Sequence, residues 1–252
     1  MIEIKNMSCG YGKKEIIQDM NLNINKNEIT VILGPNGCGK STFLKAMAGI
    51  VGLKKGEVIV KNQNANEISN KEMAKILSYL PQIRHIPNMS VYDFIMCARY
   101  PYLGLNKQPQ LDDINAVESA ILKVGIEEFK IRHMKTLSGG ERQKVYIAFM
   151  LAQETDILLL DEPTTYLDIS KQFEILDIIA NLKAYDKTVV MVLHDIIHGL
   201  KIADKIVVMD KGQICFSGNV QATMDSGVLE QIYNIKISKH TIDENDEYII
   251  LK

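Results

Sequence analysis

Ile29-Thr30-Val31-Ile32-Leu33-Gly34-Pro35-Asn36-Gly37-Cys38-Gly39-Lys40-Ser41-Thr42 is the stretch on which the fold turns. It opens with a nearly continuous apolar run of strand length, as expected for a strand buried on both faces. Gly34 to Ser41 then matches G-x-x-x-x-G-K-[ST], and Phe43, Leu44, Ala46 and Met47 follow at helical spacing before Gly49. The order is strand, glycine loop, helix. The glycines let backbone N–H groups turn inward around phosphate oxygens, and the helix N-terminus adds its dipole. Lys40 supplies positive charge at the β- and γ-phosphates, and the Ser41 hydroxyl can hold Mg²⁺. Gly34, Pro35, Asn36, Gly37, Cys38, Gly39, Lys40, Ser41 and Thr42 are therefore the candidate nucleotide-contacting residues. Cys38 reads as a compact spacer, with an oxidation switch as the rival reading.

Outward from this loop the chain alternates strands and helices. Upstream, Ile2 and Ile4, then Leu22 and Ile24, alternate with polar residues, and Cys9-Gly10-Tyr11-Gly12 reads as turn chemistry. Ser69-x-x-Glu72 reads as a capping box before Leu77 to Leu80. From about Ile83 to Thr155 the pattern is helical, with Ile114, Val117, Ile121 and Val124 predicted on one face and Ala148, Leu151 and Ala152 on another. Strand-like runs return at 157–160, 188–193 and 206–209, the first two separated by a helix with apolar Ile175, Leu176, Ile178, Ile179 and Leu182. This alternation predicts an α/β fold with a parallel sheet and an inserted helical subdomain. Residues 235–238 and 248–251 read as a terminal hairpin around an acidic turn, Asp243 to Asp246.

Composition narrows the function classes. The chain has 252 residues, 46% hydrophobic and 24% charged, so it is globular, one large domain or one core with an insertion. Its 29 Lys+Arg against 31 Asp+Glu give a net charge of −2, without the basic excess of a nucleic-acid binder. Cys9, Cys38, Cys97 and Cys215 lie far apart with no C-x-x-C pair, which speaks against a zinc site or a disulfide framework. The N-terminus lacks a signal-peptide pattern, and no apolar stretch approaches the roughly 18 residues that span a bilayer. The expectation is a chain that is soluble by itself in a reduced compartment.

A second group of residues carries chemistry. Ile157 to Leu160 is a buried strand ending in Asp161 and Glu162, where Asp161 could hold the metal's water shell and Glu162 could polarise an attacking water. Leu137-Ser138-Gly139-Gly140-Glu141-Arg142-Gln143 reads as a helix start. Ser138 and Glu141 form a capping box, and two glycines expose N–H groups at a positive helix end, a second phosphate-binding surface. His194-Asp195-Ile196-Ile197-His198 comes near the H-E-x-x-H zinc pattern, but His194 closes a strand and the second residue is Asp.

Leu137 to Gln143 resembles the signature of ATP-binding-cassette (ABC) ATPases, and with Gly34 to Ser41 and Asp161-Glu162 the resemblance covers essentially the whole chain. It implies a P-loop NTPase of RecA-like α/β fold: a mostly parallel sheet core, an N-terminal antiparallel β subdomain and an inserted α-helical subdomain. The bounds expected are a single domain over 1–252, with 1–82 and 156–252 as the nucleotide-binding core and 83–155 as the helical subdomain carrying the signature. The resemblance implies ATP and Mg²⁺ as ligands and a head-to-tail homodimer in which each ATP is sandwiched between one copy's phosphate loop and the other's Ser138, Gly139 and Gly140. Tyr11 resembles the aromatic that stacks on adenine, with a locally packed turn tyrosine as the rival. Gln82 is similar to the glutamine that joins Mg²⁺ and links the core to the helical subdomain. Asp168 is similar to the aspartate that crosses the dimer interface, with a plain helix N-cap as the rival. His194 resembles the histidine that reads the γ-phosphate, beside Lys40 and Glu162 as catalytic residues. The metal set is Ser41, Gln82 and Asp161.

Within that family, Thr165-Tyr166 and Arg99-Tyr100-Pro101-Tyr102 resemble the ATPase subunits of importers for iron–siderophore complexes, haem and cobalamin. Ile196-Ile197-His198-Gly199 and Gly218-Asn219-Val220 depart from that branch. The implied partners are integral-membrane permease subunits docking beside Gln82 and residues 85–105 and, indirectly, an extracytoplasmic solute-binding protein; no nucleic acid is expected. The implied location is the cytoplasmic face of the membrane. Another importer branch, or a soluble cassette ATPase in iron–sulfur cluster assembly, stays open on the residues alone.

Overall fold

The computed structural model describes residues 1–82, 85–104, 108–242 and 245–251. Its elements run β1 (Ile2–Tyr11), β2 (Lys14–Ile24), β3 (Ile29–Leu33), α1 (Lys40–Met47), β4 (Leu53–Val60), β5 (Gln63–Asn64), α2 (Asn70–Ile76) and β6 (Leu77–Leu80). They continue α3 (Val91–Met96), α4 (Leu111–Val124), α5 (Gly139–Ala152), β7 (Ile157–Asp161), α6 (Ile169–Asn181), β8 (Thr188–Val192), α7 (Ile196–Ile202), β9 (Lys205–Asp210), β10 (Gln213–Gly218), α8 (Val220–Ser226), α9 (Val228–Tyr233), β11 (Lys236–Ile242) and β12 (Asn245–Leu251). β11 and β12 pair as the expected terminal hairpin. Asp243 and Glu244 of its acidic turn, Ile83 at the expected subdomain boundary and Leu105 of the expected docking segment lie outside the described residues.

The central sheet has the order β10-β9-β3-β8-β7-β6, parallel from β9 to β6, with β10 antiparallel at one edge. The strands β3, β7 and β8 are buried on both faces, and their period-2 alternation divides them between two cores. Val31, Leu33, Leu158, Leu160, Val189 and Met191 face the core shared with α3 to α7. Ile32, Leu159, Val190 and Val192 face a second core, shared with α1 and an antiparallel sheet β2-β1-β4-β5.

One turn assignment needs correction. β1 continues through Cys9 and Gly10 to Tyr11, with register shifts, and the turn is confined to Gly12 and Lys13. Cys9 is fully buried and pairs with Ile17 on one side and Leu53 on the other, so ladder bonding and burial override the turn preference of glycine. On α4 the predicted face holds for Val117, Ile121 and Val124, while Ile114 is left 38% exposed at the first turn. Ser69 caps α2 by accepting the Glu72 N–H at 3.3 Å. Among the described residues no helix is long and apolar enough to cross a membrane.

Candidate active site

Four neighbouring parallel strands, β3, β8, β7 and β6, end on one side of the sheet. Ligands of open α/β sheets bind in the crevice beyond the carboxyl ends of the strands. The loop after β3 carries Gly34 to Ser41, β7 ends in Asp161 with Glu162 next, His194 follows β8, and Gln82 follows β6. The registers Ile32↔Val192, Asp161↔Val192 and Leu80↔Leu160 bring these ends level. A cleft of about 210 Å³ opens there, lined by Ile16, Asn36, Gly37, Gly39, Lys40, Ser41, Thr42, Glu162 and His194.

The phosphate loop depends on its glycines. Gly34 has φ 156°, and a Cβ on it would sit 2.2 Å from the Met209 carbonyl oxygen. Gly39 has φ 110° and would meet the Ile17 side chain at 2.8 Å. Gly39 also takes the N-cap position of α1 without a side-chain cap, so the first N–H groups of that helix are left for an anion. The Lys40 ammonium is buried, donating to the carbonyl oxygens of Gly34 at 2.6 Å and Pro35 at 3.0 Å. Cys38 is buried in the loop, and burial pushes its thiol above the usual range.

The two carboxylates have different surroundings. Asp161, 2% exposed, accepts from the Ser41 hydroxyl at 2.8 Å and from the Tyr79 hydroxyl at 3.2 Å. Burial nevertheless raises its pKa above the ordinary carboxylate value, the two hydroxyl donors offsetting only part of that effect. Glu162 accepts from the Gln82 amide and, at 3.0 Å, from the Thr165 hydroxyl, while His194 Nε2 lies 2.5 Å from its other oxygen. Its backbone is left-handed at φ 52°. That conformation costs a non-glycine residue about 1–2 kcal/mol and belongs to sites where geometry outweighs local stability.

Three of these contributors were missed in the sequence: Tyr79, Thr165 and Ile16. Thr165 stood out only as part of a dipeptide, and nothing local to Tyr79 or Ile16 signals a partner about eighty residues away or a cleft wall. Tyr11 lies on the β1–β2 hairpin that contributes Ile16, 51% exposed and outside the cleft lining. The Gln82 amide meets Glu162 in this arrangement rather than the Ser41–Asp161 pair. His194 and His198 point to different partners, His194 to Glu162 and His198, in α7, edge-on to Phe173 with ring centroids 5.0 Å apart.

The second surface expected to bind phosphate stands apart from the cleft. Ser138 caps α5, accepting the Glu141 N–H at 3.3 Å, while the Glu141 carboxylate accepts the Ser138 N–H at 2.6 Å. That N–H, with the Ser138 hydroxyl and Arg132, holds the Glu141 carboxyl down at about 2. Ser138 and Gly139 are exposed. A Cβ on Gly139 would touch Leu167 at 3.5 Å and one on Gly140 would meet Lys171 at 3.0 Å, so the start of α6 lies against the start of α5. Asp168, exposed, caps α6 by accepting the Lys171 N–H at 2.9 Å. None of Ser138, Gly139, Gly140 or Asp168 is among the residues lining the cleft.

The family model described as ABC transporter matches residues 17–165. A Bacillus subtilis (strain 168) protein named a probable siderophore transport system ATP-binding protein, YusV, is 45% identical over 196 residues, 77% of this chain and 71% of its own length. A structure described as a metal-chelate type ABC transporter in an inward-facing conformation is similar to 100% of this chain and 97% of that chain, with a TM-score of 0.85 and 26% identity. A dimeric ATP-binding cassette in a post-hydrolysis state, bound to ADP and Pi, is similar over 87% of this chain and 99% of that chain, with a TM-score of 0.75 and 26% identity.

Proposed function

The chain belongs to the ABC transporter family, and from that membership we propose that it is the ATP-hydrolysing subunit that powers a membrane importer for iron–siderophore complexes. One observation carries the reading: Lys40, Ser41, Asp161, Glu162, His194 and Gln82 gather at the carboxyl ends of four adjacent strands, with three side chains converging on Glu162. The siderophore named for the B. subtilis relative and the metal chelate named for the similar transporter support the substrate class.

The geometry supports a role for each residue. The loop N–H groups and the α1 N-terminus bind the phosphates of ATP, and Lys40, leaving the Gly34 and Pro35 carbonyls, meets the β- and γ-phosphates. The Ser41 hydroxyl and Asp161 carboxylate, 2.8 Å apart, offer hard oxygen donors of the kind Mg²⁺ takes, with the Gln82 amide oxygen just beyond the neighbouring strand β6. Mg²⁺ held by these residues would neutralise charge on the phosphates. Glu162 accepts the proton of the attacking water, and the Gln82 and Thr165 donors hold its carboxylate in place. His194, 2.5 Å from Glu162, reads the γ-phosphate from the exposed side. Ser138 to Gly140 of a second copy, head to tail, close over the same ATP, and the dimer drives permease subunits that receive solute from an extracytoplasmic binding protein.

Uptake of labelled iron chelates, haem and cobalamin in cells lacking the gene tests this reading. It expects loss of iron-chelate uptake, restored by the wild type and not by Glu162→Gln. Normal entry of all three solutes would overturn the substrate class.

A further inference from the structure

Residues 93–103 form a groove of about 380 Å³ lined by Asp93, Met96, Cys97, Tyr100 and Leu103. Between the exposed Tyr100, 63% accessible, and the groove residue Cys97, Ala98 and Arg99 turn the other way, and Arg99 is only 3% exposed. Its Nε donates to Asp113 Oδ1 of α4 at 2.9 Å, and Nη1 donates to the Ala152 carbonyl at 2.8 Å and to Glu154 Oε2 at 2.7 Å, at the end of α5. The Tyr102 ring lies 4.0 Å from the guanidinium carbon, and its hydroxyl donates to the Gln153 carbonyl at 2.9 Å. Gln153 Nε2 in turn donates to the Ala74 carbonyl of α2 at 2.5 Å, and α2 runs directly into β6 and Gln82.

We propose that Arg99 is the positioning residue that couples the permease groove to the two elements acting on ATP: α5, which begins with Ser138, and β6, which leads to Gln82. The proposal rests on the importer reading above. α5 has 14 residues and is about 21 Å long at 1.5 Å per residue, so displacement of its last turn is carried as by a rod to Ser138. Stability explains the cluster poorly, because an apolar replacement of a buried ion pair is often neutral or stabilising. A planar fork whose fixed donors tie its own segment to α4 and to the end of α5 specifies their relative placement instead, and lysine cannot reproduce it. Burial alone would raise the Asp113 carboxyl. The Gln110 N–H and Arg99 outweigh that and hold it below the ordinary value, so the pair is charged at neutral pH.

The test is the transporter reconstituted in proteoliposomes, with wild type, Arg99→Lys and Tyr102→Phe compared for permease co-purification, ATP turnover of the isolated chain, and solute moved per ATP hydrolysed. The proposal expects Arg99→Lys to co-purify with the permease and keep the turnover of the isolated chain, while solute per ATP falls roughly tenfold, within the range of allosteric couplings. Tyr102→Phe keeps the ring under Arg99 and loses one hydrogen bond; it should show a smaller fall in the same ratio, and it carries the test if Arg99→Lys does not fold. Transport and hydrolysis falling together at a constant ratio, as in a merely destabilised subunit, would overturn the coupling role. If wild type co-purifies with no permease, the importer reading fails and takes this proposal with it. If wild type transports and the ratio does not move in either variant, the coupling role alone fails.

Discussion

The strand-end cluster and the start of α5 are both proposed to meet phosphate, yet they spend their polar groups in opposite ways. At the strand ends, Ser41, Asp161, Glu162, Gln82 and His194 come from segments up to 153 positions apart, and their hydrogen bonds point at one another across the cleft. Asp161 sits there against its own preference, a buried carboxyl with a raised pKa. At α5, Ser138 and Glu141 satisfy each other within one turn, and the surface they leave faces solvent rather than the cleft. On the proposed roles the first site gathers its hydrolytic residues in one chain, at a cost in stability. The second is locally stable, and on the proposed reading it acts only when another copy brings ATP to it.

Substitutions can break or sharpen this contrast. The largest effect is expected at Glu162, where Glu162→Gln keeps the shape and loses the proton acceptor. Steady-state phosphate release should fall by about 10²- to 10⁴-fold, with ATP binding retained. Turnover at the wild-type rate would remove Glu162 as the base.

Asp161→Asn should move stability and activity in opposite directions. It keeps one acceptor oxygen, turns the other into an NH₂ donor that a rotated Ser41 or Tyr79 hydroxyl can accept, and removes a buried charge. The nucleotide-free chain should therefore melt higher by about 2–4 °C per kcal/mol gained, while hydrolysis collapses. A lower melting temperature would show that the charge is not costly where it stands.

The smallest effect belongs to Glu141, whose folded pKa of about 2 lies below its ordinary 4.5. A depressed carboxyl stabilises the fold above the unfolded value and loses that contribution as pH falls through the folded one. Glu141→Gln should therefore be slightly less stable than wild type at pH 7, with the gap closing between about pH 4.5 and 2. A gap independent of pH in denaturant titrations would contradict the charge-assisted cap.

What could be read along the chain divides in the same way. Gly34 to Ser41, Asp161-Glu162 and Ser138 to Glu141 stood out because each is a pattern of a few contiguous residues, and the run Ile29 to Leu33 marked the sheet centre because both its faces are buried. Tyr79 and Thr165 around the carboxylates, and the Arg99–Asp113–Glu154 cluster, were not legible, since each depends on partners set by strand order or helix packing. The same limit explains Cys9 to Tyr11, where pairing with two strands at once overrides a glycine that locally suggests a turn.

The contrast rests on one claim, that the α5 surface of a second copy completes the cleft. Sedimentation of Glu162→Gln with and without ATP tests it most directly, alongside the same variant carrying Gly140→Asp, whose added Cβ meets only the flexible Lys171 side chain at 3.0 Å. Glu162→Gln should sediment as a monomer without ATP and as a dimer holding two ATP with it, and the added Gly140→Asp should leave an ATP-bound monomer. A Glu162→Gln chain that stays monomeric with ATP, or dimerises equally well with Gly140→Asp, would contradict the account.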